Sequence, residues 1–226
     1  MTGDAMMIPI LYTDDNTVVC EKPAGVSSEK DGMPALLRSQ LGGEIYPVHR
    51  LDTAVGGVMV FARSAKAAAA LSEQIRTHSF QKEYLAVAQG SVEPPEGTWQ
   101  DLLFHERGRN KSYVVKRRRA GVREASLDYR VLGSLEGLSL LHIRLLTGRT
   151  HQIRVQAASR AHPLVGDVKY GSAVRDCPIA LWSYALSFVL PSTGEMRRFE
   201  ALPECRAPWA LFNELIRGGK PCDTSK

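Results

Sequence analysis

The stretch 127–146, LDYRVLGSLEGLSLLHIRLL, reads as two strand-like runs, 127–132 and 138–146, joined by a turn that holds glycine and serine. Similar runs recur at 113–115 and 180–190, and a largely antiparallel or mixed sheet fits them. Upstream, 8–12 and 17–20 predict a hairpin whose turn is Asp14-Asp15-Asn16. Pro34, Leu36, Leu37 and Leu41 predict a short helix closed by Gly42 and Gly43. A strand at 58–61 stops at Ser64, a good N-cap, and Ala67, Leu71 and Ile75 at four-residue spacing predict a helix after it. A strand at 84–88 follows, and Pro94-Pro95 then break the chain. Downstream, Thr150 is expected to cap a helix that runs to about Arg160 and ends near His162, because Pro163 disfavours a helical residue before it. Residues 209–216 predict a final helix, and 218–226 a flexible tail. Strands outnumber helices without regular alternation, which points to an α+β class rather than a doubly wound α/β fold.

The chain has 226 residues, 44% of them hydrophobic and 23% charged, which is the composition of an ordinary soluble globule of one large domain or two small ones. No apolar run approaches the roughly 20 residues of a spanning helix. The first fifteen residues carry acids and no Lys or Arg, so a secretory signal is not indicated and a cytoplasmic protein is expected. Cys20, Cys177, Cys205 and Cys222 are scattered without close pairing and read as buried or incidental thiols. The net charge of +5 is local in origin. Residues 107–123 hold eight of the 29 basic side chains and no acid, which leaves 21 basic against 24 acidic residues elsewhere, a net of −3. Such a segment is either a polyanion-binding surface, most commonly for nucleic acid, or a solvated charged hairpin.

The strong nucleotide, dinucleotide and zinc-peptidase motifs are absent, and the six histidines do not sit at ligand spacing with acids or cysteines, so no metal site is expected. Three polar clusters at strand ends remain. In His49-Arg50-Leu51-Asp52 a carboxylate stands on a loop before an apolar strand, and in an extended segment Arg50 and Asp52 project to the same side. A neighbouring guanidinium keeps a carboxylate ionised, though by spacing alone a structural Arg/Asp pair is the plainer reading. In Thr147-Gly148-Arg149-Thr150-His151-Gln152-Ile153-Arg154 a turn, a cap and two cations meet at a strand-to-helix junction, and Arg154 lies about one helical turn in. Tyr84 opens a strand and offers a flat face for a base, or else a core tyrosine.

Together these segments resemble the RluA-type RNA pseudouridine synthases. The resemblance runs in order along most of the chain: Glu21-Lys22-Pro23-Ala24-Gly25, His49-Arg50-Leu51-Asp52, Lys82-Glu83-Tyr84, TGRTHQIR at 147–154, and His162-Pro163-Leu164 with Gly166-Asp167 and Tyr170-Gly171. It implies a mixed, mainly antiparallel sheet with flanking helices and loops around a central RNA cleft. It implies that Asp52 is the catalytic aspartate, Tyr84 the tyrosine that packs on the target base and Arg154 the arginine that pairs with the aspartate. Arg50 resembles the residue that holds the flipped nucleotide or fills its space. His49, Arg149 and His151 are counted with it among the RNA-binding residues, as are Lys111, Lys116, Arg117, Arg118 and Arg119 of the basic segment. The family needs no cofactor and no metal. One departure stands out: where it usually carries Thr-Ser-Gly two residues beyond the aspartate, this chain has Val55-Gly56-Gly57, so two hydroxyls that could brace the loop are missing.

The expectation is therefore a single catalytic domain over 1–217, without a separate S4-type module, that isomerises uridines in ribosomal or transfer RNA. No membrane partner is expected, and the protein is read as a monomer. The alternative from another class is a catalytically inactive RNA-binding or RNA-chaperone protein that retains the fold. A small-molecule hydrolase using Asp52 lacks a paired acid and gives no reason for the basic segment.

Overall fold

The computed structural model describes residues 6–29 and 31–218. The tail expected at 218–226 lies outside the described residues except for Gly218, which caps the last helix in a left-handed conformation. Along the chain run β1 (Ile10–Thr13), β2 (Thr17–Lys22), α1 (Met33–Leu41), β3 (Tyr46–Pro47), β4 (Gly56–Ala62), α2 (Ala65–Arg76) and β5 (Gln81–Gln89). They are followed by β6 (Glu96–Glu106), β7 (Lys111–Val115), β8 (Val122–Leu135), β9 (Leu138–Leu145), α3 (Gln152–Ser159), β10 (Leu181–Val189), β11 (Met196–Glu200) and α4 (Asn213–Arg217). The class is α+β, as the uneven alternation of strands and helices predicts. Two compact units divide the chain, one of Met1–Lys82 with Ser183–Ala201 and one of Glu83–Trp182 with Leu202–Lys226.

In the first unit the strands lie in the order β1-β2-β4-β10, with β3 beside β4 and β11 beside β10. The β1/β2 hairpin forms around the predicted turn because the Asp14 carboxylate accepts the backbone N–H groups of Asn16 and Thr17. Every residue of β4 is buried, so this strand is covered on both faces and reads as an unbroken apolar run. The Ser64 hydroxyl accepts the Ala67 N–H and starts α2, whose Ala67 and Leu71 are buried. Gln74 pins that helix to β10 through bonds of 2.8 Å to both the N–H and the carbonyl of Val189. Among the described residues no helix is long and apolar enough to cross a membrane.

In the second unit the order is β5-β9-β8-β6-β7, antiparallel throughout. The hairpin expected from 127–146 is there, but its turn is the pair Glu136-Gly137, both at positive φ, and Leu135 faces Leu138 across it. Gly133 and Ser134, read as turn residues, instead continue β8 past a register shift between Val131 and Gly133. The cap of α3 also differs from expectation. His151, not Thr150, is the N-cap, at φ 56°, and it offers no side-chain bond. The Gln152 side-chain oxygen instead reaches back from the first helical position to the preceding turn, accepting the Arg149 N–H at 3.0 Å and the Thr147 hydroxyl at 2.8 Å. The final helix splits into a 3-10 turn, Trp209–Phe212, and α4. Cys20 and Cys177 are free, whereas Cys205 is disulfide-bonded, against the reading of all four cysteines as thiols.

Candidate active site and nucleic-acid interface

In the first unit, Asp52 stands on the loop between β3 and β4, directly after the buried Leu51. The backbone of this loop is tied at successive residues. The Ser28 hydroxyl donates to the Leu51 carbonyl at 2.9 Å, the Val55 N–H donates to the Asp52 carbonyl at 2.9 Å, and the Gly25 N–H donates to the Thr53 carbonyl at 2.8 Å. The Lys22 ammonium reaches the same Thr53 carbonyl at 3.2 Å while holding those of Pro23 at 2.9 Å and Val26 at 2.7 Å. Three donors meet three carbonyls, and Lys22 is fully buried. Burial pulls its pKa down to about 8, against the favourable charge of Asp52. The segment 21–28 therefore braces the aspartate loop with an ammonium, a serine hydroxyl and a backbone amide. Close approach explains the glycine that follows: at Gly57, φ +117°, a Cβ would lie 2.2 Å from the Ser183 carbonyl oxygen.

Arg50 is exposed and pairs with an equally exposed Glu29 at 3.1 Å. His49, counted by resemblance among the RNA-binding residues, is half-buried. Its Nε2 accepts the Val60 N–H at 3.2 Å and its ring packs 5.8 Å from that of Phe80. Burial of the ring, reinforced by the charge of Lys82, drives its pKa down to about 3, so the imidazole is neutral.

In the second unit, Tyr84 lies buried in β5 opposite Ile143 of β9. Arg154, buried in the first turn of α3, makes a two-pronged ion pair with Asp167, Nε to Oδ2 at 2.7 Å and Nη2 to Oδ1 at 2.8 Å. Asp167 belongs to the quoted HPLVGD string but carried no assignment in the sequence. Residues thirteen apart on a helix and a loop show no pairing signal before the chain folds. The Arg154 guanidinium also lies 5.2 Å from the Tyr170 ring centre. The Tyr170 hydroxyl accepts the Ser112 N–H at 2.8 Å and is hydrogen-bonded to His151 Nδ1 at 2.9 Å. The Ser112 hydroxyl in turn donates to the Thr150 carbonyl at 2.6 Å, so β7 is stitched to the start of α3. His151 is thus buried in this network.

Arg149 anchors its Nε on the Glu124 carbonyl at 2.9 Å. Lys116, Arg117, Arg118 and Arg119 are all exposed on the connection from β7 to β8, Arg118 paired with Glu124. Lys111 is half-buried, its ammonium 5.3 Å from the Tyr170 ring. Among the described residues no group of three or more His, Cys, Asp or Glu could hold a metal ion.

Residues 16–159 match the model of the RNA pseudouridylate synthase family. An uncharacterised RNA pseudouridine synthase of Bacillus subtilis is 36% identical over 178 residues, 73% of this chain and 58% of that protein. The ribosomal large subunit pseudouridine synthase D of Xanthomonas campestris is 35% identical over 86% of this chain and 66% of its own length. The tRNA pseudouridine synthase C of Haemophilus ducreyi is 30% identical over 74% and 75%. The chain thus spans between about half and three quarters of these relatives. The solved structure of human RNA pseudouridylate synthase domain containing 1 superposes with a TM-score of 0.74 over 98% of this chain and 99% of that one, at 22% identity, which is a likeness of fold.

Proposed function

The chain belongs to the RNA pseudouridylate synthase family, and from that premise we propose that it isomerises specific uridines of ribosomal or transfer RNA to pseudouridine, with Asp52 as nucleophile. The reaction breaks the bond from N1 to C1′, turns the base and joins C5 to C1′, so nothing is added or lost. A carboxylate that adds covalently to sugar or base, or assists departure of the base, splits a hard step into easier ones. The target atoms are inaccessible in a stacked helix, so the uridine is flipped out at a cost of a few kcal/mol. A stacked aromatic side chain, the role proposed for Tyr84, returns about 1–3 kcal/mol of that. Arg154, the third residue proposed for catalysis, is held in place by Asp167 and by the Tyr170 ring.

The observation that carries this reading is the braced loop. Carbonyls of three consecutive residues, Leu51, Asp52 and Thr53, each receive a donor, and one of the donors is an ammonium fully withdrawn from water. A protein that only binds RNA has no use for such preorganisation around one carboxylate, which argues for turnover over the inactive alternative. The test is tritium release from RNA labelled at uracil C5. Wild-type protein releases it, and Asp52→Asn releases none while binding RNA within a few fold of wild type. Turnover of Asp52→Asn near the wild-type rate would remove Asp52 from the mechanism.

A further inference from the structure

The sheet of the second unit has two faces at β6, β7 and β8, and only one of them is accounted for by packing within the unit. Leu103 of β6 and Ala125 of β8 form a buried cluster with Val155 of α3 and Tyr170, and Val114 of β7 packs against it. Side chains alternate along a strand, so Phe104, Tyr113 and Val122 point to the opposite face. The register sets them side by side, Phe104 opposite Tyr113 on one flank and opposite Val122 on the other. Leu102 and Val115 face each other one step along the same side. All five are partly exposed.

Cations surround this apolar patch. The Arg119 guanidinium lies 4.7 Å from the Phe104 ring centre, and the Lys111 ammonium 5.8 Å from that of Tyr113. Arg109 is exposed nearby and pairs with Glu106 at 3.4 Å. Lys116 and Arg117 stand exposed on the adjoining connection. Along the same β6/β8 ladder a cavity of about 370 Å³ opens among Gln100, Asp101, Leu102, Glu124, Ala125 and Ser126. The Ser126 hydroxyl oxygen is buried there with no hydrogen-bond partner.

Aromatic rings that carry cations on their faces, in a segment of one charge sign, suit one occupant above others. A nucleobase stacks on an aromatic ring or on a guanidinium plane, and its phosphate meets the cations around it. We propose that this outer face of β6, β7 and β8 is a stacking platform for unpaired nucleobases of the RNA. Phe104 with its Arg119 lid and Tyr113 lie under the bases, and the basic segment lies along the phosphates. The inference rests on the RNA reading above but concerns binding rather than chemistry.

The test uses the full chain and a short oligouridylate, intact or carrying abasic positions, with binding followed by fluorescence anisotropy. Phe104→Leu with Tyr113→Leu keeps the apolar bulk and removes both rings. The double variant should bind intact RNA at least fivefold more weakly, with an unchanged salt slope because every cation that meets a phosphate is still in place. Against abasic RNA it should match wild type, and Tyr113→Trp should restore part of the loss for intact RNA. The platform is overturned if the double variant binds intact RNA within twofold of wild type, as a protein-docking face would predict. It is equally overturned if affinity for intact and abasic RNA falls by the same factor, since the rings then only support the hairpin. Tritium release by wild-type protein is measured alongside. Base-dependent binding without wild-type release would sink the isomerase reading and leave the platform standing, and release without base-dependent binding would do the reverse.

Discussion

Lys22 concentrates the physics of the aspartate loop in one side chain. Its ammonium has three donors and finds three carbonyls, but burial holds its pKa near 8, well under its ordinary value of 10.5. Above that pH the neutral amine keeps two donors, and one of the carbonyls at Pro23, Val26 or Thr53 loses its bond. Isomerisation under single-turnover conditions should therefore decline as pH rises through about 8. Stability should move the other way. With a folded pKa below the unfolded one, the folded state binds fewer protons between about 8 and 10.5, so this group's contribution to stability rises with pH across that window. A pH-rate profile set beside thermal midpoints separates the two effects, and Lys22→Met should lose the inflection near 8 and turn over at least tenfold more slowly. An unchanged inflection in Lys22→Met would assign it to another group.

At the scale of elements, α3 and β7 are joined through the Tyr170 hydroxyl, which links Ser112 to His151 while the Tyr170 ring supports Arg154. Burial pushes the pKa of this hydroxyl up, so it stays protonated across the working range. Tyr170→Phe keeps the ring and removes the link, leaving the buried Ser112 N–H without its acceptor. The expected cost is about 1–3 kcal/mol in stability, read by urea unfolding. Turnover should fall with little change in RNA affinity, because the freed start of α3 carries Arg154. A variant as stable and as fast as wild type would show the stitch to be idle. Strand β6 shows why this part of the sheet is hard to read from sequence. Its inward face alternates the apolar Trp99 and Leu103 with the polar Asp101 and His105, which are satisfied by Gln156 and Arg160 and by Ser112. Interior polar residues break the alternation of apolar side chains that marks a strand.

For the molecule as a whole, basicity is a local property of the β6 to β8 region. Of the four exposed cations at 116–119, Arg118 is paired with Glu124 and Arg119 covers Phe104, which leaves Lys116 and Arg117 as the readier partners for phosphate. Replacing all four by Ser should weaken target and non-target RNA alike. It should flatten the slope of log affinity against log salt by about 1–2, at roughly 0.7 for each single-strand phosphate that is no longer neutralised. Turnover at saturating RNA should hold. An unaltered slope would mean that the segment is a solvated hairpin and that RNA is gripped elsewhere.

Local chemistry was legible in the sequence by itself. The β1/β2 turn follows from the Asp14 carboxylate two and three residues from the amides it accepts, and α2 starts at Ser64 for the same reason. The antiparallel character of 127–146 follows from two runs joined by a short turn, and the ordered strings around Asp52, Tyr84 and Arg154 carry the family resemblance. Burial and distant partners were decided by the tertiary structure alone. Nothing in the motifs that hold His49 and His151 shows that the ring of one accepts a β4 amide or that the other sits in a left-handed cap against Tyr170. Asp167 becomes the counter-ion of Arg154, and Lys22 becomes the desolvated clamp on the loop of Asp52, across 13 and about 30 residues. A charged side chain reads the same in sequence whether water or three carbonyls surround it, because desolvation is a property of what packs around it and not of its neighbours along the chain.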